Sequence, residues 1–151
     1  MYTSIVASNV RTSWRQLNAR DSAGLLAQFA THFRYEFFGV HALGGIRHTK
    51  TAMKKFFDRV FSIFPNAQFE IQNILVKGMP WDTTVVALVG IRATLENGQL
   101  YQNQISQTIS IRWGRITEIQ TLEDTQKLVQ ALQVQLEAGI LEAGAAPISD
   151  E

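Results

Sequence analysis

The chain has 151 residues, 46% of them hydrophobic and 18% charged, with a net charge of +1 and no cysteine. That length suits one domain that buries roughly 70% of its unfolded surface, and the apolar content argues against disorder. The charge leaves no electrostatic footprint for nucleic acid or a membrane surface, and the missing cysteines exclude disulfides, thiol nucleophiles and Cys-ligated zinc.

The start, Met1 to Val10, lacks a basic segment followed by an apolar one, and no apolar run approaches membrane-spanning length, so a cytoplasmic protein is expected. Val6, Val10, Trp14 and Leu17 form one helical stripe. Asn18 to Asp21 breaks it, and Asp21 suits the N-cap of a second helix carrying Leu25, Leu26 and Phe29. The aromatic run Phe33 to Phe38 predicts a short strand, and the three glycines between Gly39 and Gly45 predict a loop. Thr49 can cap a long third helix with Met53, Phe56, Phe57, Val60, Phe61 and Phe64 as its apolar set, which Pro65 ends. Lys50, Lys54 and Arg59 read as its solvated face.

The second half reads as strands. Phe69 to Val76 leads to a turn at Gly78-Met79-Pro80, then Thr83 to Glu96 runs β-branched to Asn97-Gly98, a hairpin signal of type I′. Beyond it Tyr101, Asn103, Ile105, Gln107, Ile109 and Ile111 share one face, and the two amides on that apolar face stand out. Trp113-Gly114-Arg115 turns the chain into a last strand, Ile116 to Leu122. Asp124 then caps a helix with Leu128, Leu132 and Leu136 on one stripe. Residues 1–143 read as a single domain and 144–151 as a flexible tail. Helices first and a strand meander last is the order of an α+β fold whose sheet curls around a helix into a cone, open at one end, with a pocket inside.

The Leu17-Asn18-Ala19-Arg20-Asp21 turn, the Asn97-Gly98 hairpin with Tyr101 and Asn103, the Trp113-Gly114-Arg115-Ile116 hairpin and the capping Asp124 together resemble the nuclear transport factor 2-like superfamily. Within it the chain is similar to the SnoaL-like branch related to ketosteroid isomerase, from about Val6 to Leu132. The resemblance implies a cystatin-like α+β barrel, a curled and mostly antiparallel sheet wrapped around a long helix. It implies a homodimer through the sheet's outer face, polar along residues 102–112, and a small apolar or aromatic ligand. It implies cofactor-free isomerase, lyase or polyketide cyclase chemistry, with a non-catalytic binding or assembly module as the alternative. Matched residue by residue, the isomerase's oxyanion Tyr falls on Ser13, its general base on Phe37 and its second Asp near Gln107. The epoxide hydrolase pattern keeps Arg92 but has Thr94 and Thr121 at its two Asp positions. The cyclases' acidic group, on or just after the last strand, leaves Asp124 or Glu123.

The candidate proton carriers are therefore His41, in the Gly-rich loop near the expected open end, and Asp124, which can equally be a helix cap. Trp14, Tyr35, Phe37, Trp81 and Tyr101 can line a cavity or fill a core. Arg47 can hold an anionic group of a ligand or start the basic face of the third helix. Arg92 with Asn103 and Gln107 can form a polar floor, or Arg92 can lie on the sheet's outer face. The spacing of His32, His41 and His48 enforces no metal site, and neither metal nor cofactor is expected.

Overall fold

The computed structural model describes residues 1–150. Helices α1 (Tyr2–Asn18) and α2 (Ser22–Leu26) precede strands β1 (Phe29–Phe37) and β2 (Gly45–Arg47) and helix α3 (Lys50–Ile63). Strands β3 (Gln68–Met79), β4 (Asp82–Thr94), β5 (Leu100–Arg112) and β6 (Arg115–Glu123) follow as a meander, and α4 (Thr125–Glu137) with a 3-10 turn (Leu141–Gly144) closes the chain. One mixed sheet runs β2-β1-β6-β5-β4-β3, antiparallel except where β1 and β6 lie side by side in parallel. β4 alternates buried and exposed along its length, so only one face of the sheet meets the core. Across that face lie α1, through Val6, Val10 and Trp14, and α3, through Met53, Phe56 and Phe57. Among the described residues no helix is long and apolar enough to cross a membrane.

The Asn-Ala-Arg-Asp turn has a physical reason. Asn18 closes two hydrogen bonds with the backbone of Phe69, at 2.9 and 2.8 Å, which fixes the end of α1 against β3. Arg20, at φ 61°, leaves the helix in the left-handed region and donates to the carbonyls of Pro65 and Ala67, with its guanidinium over the Phe61 ring. Asp21 accepts from the backbone N–H of Gly24 and so starts α2.

Several boundaries differ from the sequence reading. Phe29 lies outside the second helix; it opens β1 and pairs with Ile116. Asn97-Gly98 is not a type I′ turn: Gly98 has φ 85° but Asn97 is not left-handed, the Gly98 N–H bonds to the Leu95 carbonyl, and the Asn97 side chain accepts from Gln99 instead. The loop is a tight turn ending in a glycine bulge. The type I′ geometry sits at Trp113-Gly114, φ 50° and 77°, between the paired Arg112 and Arg115. Arg59 is not on a solvated face either, since it bonds Glu142 and the carbonyls of Ala42 and Ala146. Beyond Gly144, Asp150 accepts from the backbone N–H groups of His48 and Thr49 at the start of α3.

Candidate functional site

Between the concave sheet face and helices α1 and α3 lies a cavity of about 360 Å³. Its walls are mostly apolar, with Val10 and Trp14 from α1, Phe56 and Phe57 from α3, and Ile105 and Ile109 from β5. One end reaches solvent past Ile5 and Trp113, which line the cavity yet are 54% and 72% exposed. Trp81 stands outside this opening with its ring 6.1 Å from that of Trp113.

Polar groups enter the cavity at two places. On the helical side, the Ser13 hydroxyl donates to Gln28 Oε1 at 2.6 Å, and Gln28 Nε2 donates to Gln16. On the sheet side, strand periodicity brings Ile119, Thr121 and Glu123 of β6 to the buried face, while Gln107 pairs directly with Thr121 across β5. Gln107 Nε2 donates to Thr121 Oγ1 at 3.0 Å, and the Thr121 hydroxyl donates to the Tyr35 oxygen at 3.0 Å.

Among the described residues Glu123 is the one carboxyl group on the cavity wall, 7% exposed. Burial raises it from 4.5 to about 7, against the opposing hydrogen bond from the Tyr101 hydroxyl to Oε1 at 3.0 Å. Its second oxygen has no protein partner among the described residues. Tyr101 is held in turn by Asn103 Nδ2 at 2.8 Å and lies stacked on Phe64. Burial and the neighbouring Glu123 push the Tyr101 hydroxyl far up, so it stays a donor to that carboxyl group. Tyr35 is pushed up to about 12 by burial, offset in part by the Thr121 hydrogen bond and the charge of Arg47.

Of the residues expected at the site, Trp14, Tyr35, Phe37 and Gln107 line the cavity. Tyr101 and Asn103 sit behind Glu123, and Asn103 also donates to the Asp124 carbonyl. His41 does not line it. Its Nε2 donates to the Phe38 carbonyl and its Nδ1 accepts from the Leu43 N–H, which latches the loop through both ring nitrogens. Burial holds this ring below the ordinary histidine value, only partly opposed by the Phe38 carbonyl. Gly39, at φ 110°, permits the latch, because a Cβ there would stand 2.7 Å from the imidazole.

Asp124 is exposed and accepts from the Lys127 N–H, so the structure uses it as the cap of α4. Arg92 points to the outer face, opposite Gln68 and Gln102, because its neighbour Ile91 takes the inner one; no floor of Arg92, Asn103 and Gln107 forms. Trp81 is half exposed.

Arg47 is fully buried and off the cavity wall, bonded through Nη2 to the carbonyls of Leu43 and Gly44 at 3.1 and 2.6 Å. Its guanidinium lies 4.1 Å over the Phe56 ring and 5.7 Å from the Tyr35 ring centre. Nε and Nη1 have no partner among the described residues, and burial lowers the group to about 10. Among the described residues no three His, Asp or Glu side chains gather as a metal-holding group.

Residues 10–119 match the family model of the SnoaL-like domain. Solved structures share the fold at low identity. A nuclear transport factor 2-like protein of unknown function from Burkholderia pseudomallei is 20% identical with a TM-score of 0.73, over 83% of this chain and 95% of its own. TerC, co-crystallised with polyporic acid, is 16% identical with a TM-score of 0.72, over 84% and 97%. IdmH from Streptomyces antibioticus, described as a candidate polyketide cyclase, is 15% identical with a TM-score of 0.69, over 84% and 97%. No curated protein matches the chain in sequence.

Proposed function

We propose, for a chain that belongs to the SnoaL-like domain family, that the cavity takes a mostly apolar, ring-containing small molecule and that Glu123 carries protons to and from it. The reaction class is a cofactor-free isomerisation, elimination or ring closure. The observation that carries this reading is the buried Glu123 carboxyl group, raised to about 7, on an otherwise apolar wall. Such a group is part acid and part base at neutral pH, the condition in which general acid–base catalysis is most effective. Tyr101 and Asn103 fix its first oxygen and leave the second for a ligand. The aromatic walls, and the co-crystallisation of TerC with polyporic acid, support a flat ring system as cargo.

A non-catalytic binder is the second reading, favoured by Phe37 and Ser13 where the resemblance to the isomerase would require a base and an oxyanion donor. As for assembly, we propose a homodimer through the outer sheet face, where Gln72 and Gln104 hydrogen-bond beside the exposed Leu75, Leu100 and Leu122.

A screen of aromatic ketones and naphthols tests the function, read by tryptophan fluorescence because Trp14 and Trp113 line the cavity. Glu123→Gln should bind the hits within a few-fold of wild type and lose about 100-fold or more in turnover. Binding without turnover in either protein would favour the binder, and wild-type turnover retained in Glu123→Gln would remove Glu123 from the chemistry.

A further inference from the structure

We infer that residues 145–150 are a strap that holds the glycine-rich loop, residues 39–47, shut over the inner end of the cavity, and that this end opens when the strap lifts. Such a second way in is independent of any chemistry the cavity performs.

Strand direction decides which elements stand at each end of the cavity. β6 starts at the mouth, beside Trp113 and Gly114, and reaches Glu123 seven residues beyond Ile116, roughly 20 Å along the strand. β1 lies parallel to it, with Phe29 opposite Ile116 and Phe37 opposite Thr121. The glycine-rich loop that follows Phe37 therefore stands at the inner end, and not at the open end expected of it. There it closes the wall, because Leu43, 2% exposed, lines the cavity together with Phe37 and Thr121.

The loop is folded on itself by the His41 latch and by Arg47 Nη2, so residues 41–44 form one unit. β2 ties residues 45–47 to β1, and the tail secures the other side of this edge strand. The Ser149 hydroxyl donates to the Ile46 carbonyl at 2.9 Å. The Asp150 carboxylate accepts from the His48 and Thr49 N–H groups at 2.7 and 2.9 Å, and from the Thr49 hydroxyl at 2.6 Å. Helix α3 begins Lys50-Thr51-Ala52, so Asp150 supplies the negative charge that its N-terminus favours. Arg59 of α3 joins the two segments, since Nη1 donates to the Ala42 carbonyl in the loop at 2.9 Å and to the Ala146 carbonyl in the tail at 2.7 Å. Gly45 leaves room for the tail to lie down, because a Cβ there would stand 3.3 Å from both the Ile148 carbonyl oxygen and Pro147 Cβ.

The tail's own anchors are hydrogen bonds at the surface, and no residue from 145 to 150 is buried. A segment held in this way opens at far lower cost than the core beneath it. Once the tail lifts, Arg59 loses Ala146 and its guanidinium is free to leave Ala42 as well. Gly39 and Gly45, both at φ 110°, flank the part of the loop that then swings, and act as its hinges.

The chain has no cysteine, so one introduced thiol reports the opening through its rate of reaction with dithiobisnitrobenzoate. Thr121→Cys places that thiol at the inner end, and Ile111→Cys places it near the mouth. Adding Asp150→Ala with Arg59→Met should speed the reaction at Thr121→Cys about tenfold or more and leave Ile111→Cys within about twofold. Amide exchange at Leu43 and Gly44, neither of which bonds the tail through its N–H, should quicken by a similar factor while Val85 and Val89 stay unchanged. Where the double substitution fails to fold, Asp150→Ala alone carries the comparison, with a change of about threefold expected. An unchanged rate at Thr121→Cys, or unchanged exchange at Leu43 and Gly44, would overturn the strap. Equal acceleration at both thiols would overturn it too, because that is a general loosening and not the opening of one end.

Discussion

Glu123→Gln should make the protein more stable at alkaline pH than the wild type, by an amount the structure specifies. Burial raises the folded-state carboxyl from 4.5 to about 7, and each tenfold gain in proton affinity corresponds to about 1.4 kcal/mol. The folded state therefore holds this proton more tightly than the unfolded chain. Its contribution is fully present below about 4.5, falls as pH rises through the window to about 7, and is gone above it. The full difference is about 3 kcal/mol. Gln removes the titration while keeping an oxygen that can accept from the Tyr101 hydroxyl. Urea unfolding of both proteins at a series of pH values spanning that window measures the gap between them. It should widen in favour of Glu123→Gln as pH rises and then level off. A pH-independent gap would refute the reasoning, because it would mean that Glu123 titrates alike in the folded and unfolded chain. Other titrating groups, His41 among them, are common to both proteins and drop out of the difference.

Asp124→Ala should cost about 1 kcal/mol through loss of the α4 cap and leave naphthol affinity unchanged, as chemical denaturation and fluorescence would show. His41→Ala should cost about 1–3 kcal/mol, because the Phe38 carbonyl and the Leu43 N–H both lose their partner. Since the folded-state value of His41 is depressed, its contribution is present above about 6.5 and lost as pH falls, so the deficit of His41→Ala should shrink in acid. Trp113→Asn should raise stability by about 1 kcal/mol, because asparagine tolerates the left-handed φ of 50° that a type I′ turn imposes; an unchanged or lower melting temperature would count against it.

Much of the architecture was legible because it rests on local rules. The stripe of Val6, Val10 and Trp14, the Thr49 and Asp124 caps and the alternation from Tyr101 to Ile111 each follow from periodicity or capping chemistry, and the structure has them all. The site was legible in part, for the same reason. Asp124 drew attention as an acidic residue after the last strand, yet continuing the β6 alternation from Ile119 and Thr121 places Glu123 on the inner face and Asp124 beyond the strand. That signal lay in the sequence. The relay from Gln107 through Thr121 to Tyr35 did not, since it depends on β6 lying between β1 and β5, a long-range pairing that no local pattern announces. Arg47 was hidden likewise, because its burial follows from the Gly-rich loop folding over it, which places the Leu43 and Gly44 carbonyls on its guanidinium.

The proposed chemistry turns on the proton held by Glu123. Side-chain ¹³Cδ titration of labelled wild-type protein, with the Glu123 signal assigned by its absence in Glu123→Gln, measures it directly. A midpoint near 7 for this one carboxyl group is the predicted result. A midpoint near 4.5, that of an ordinary solvated glutamate, would contradict it.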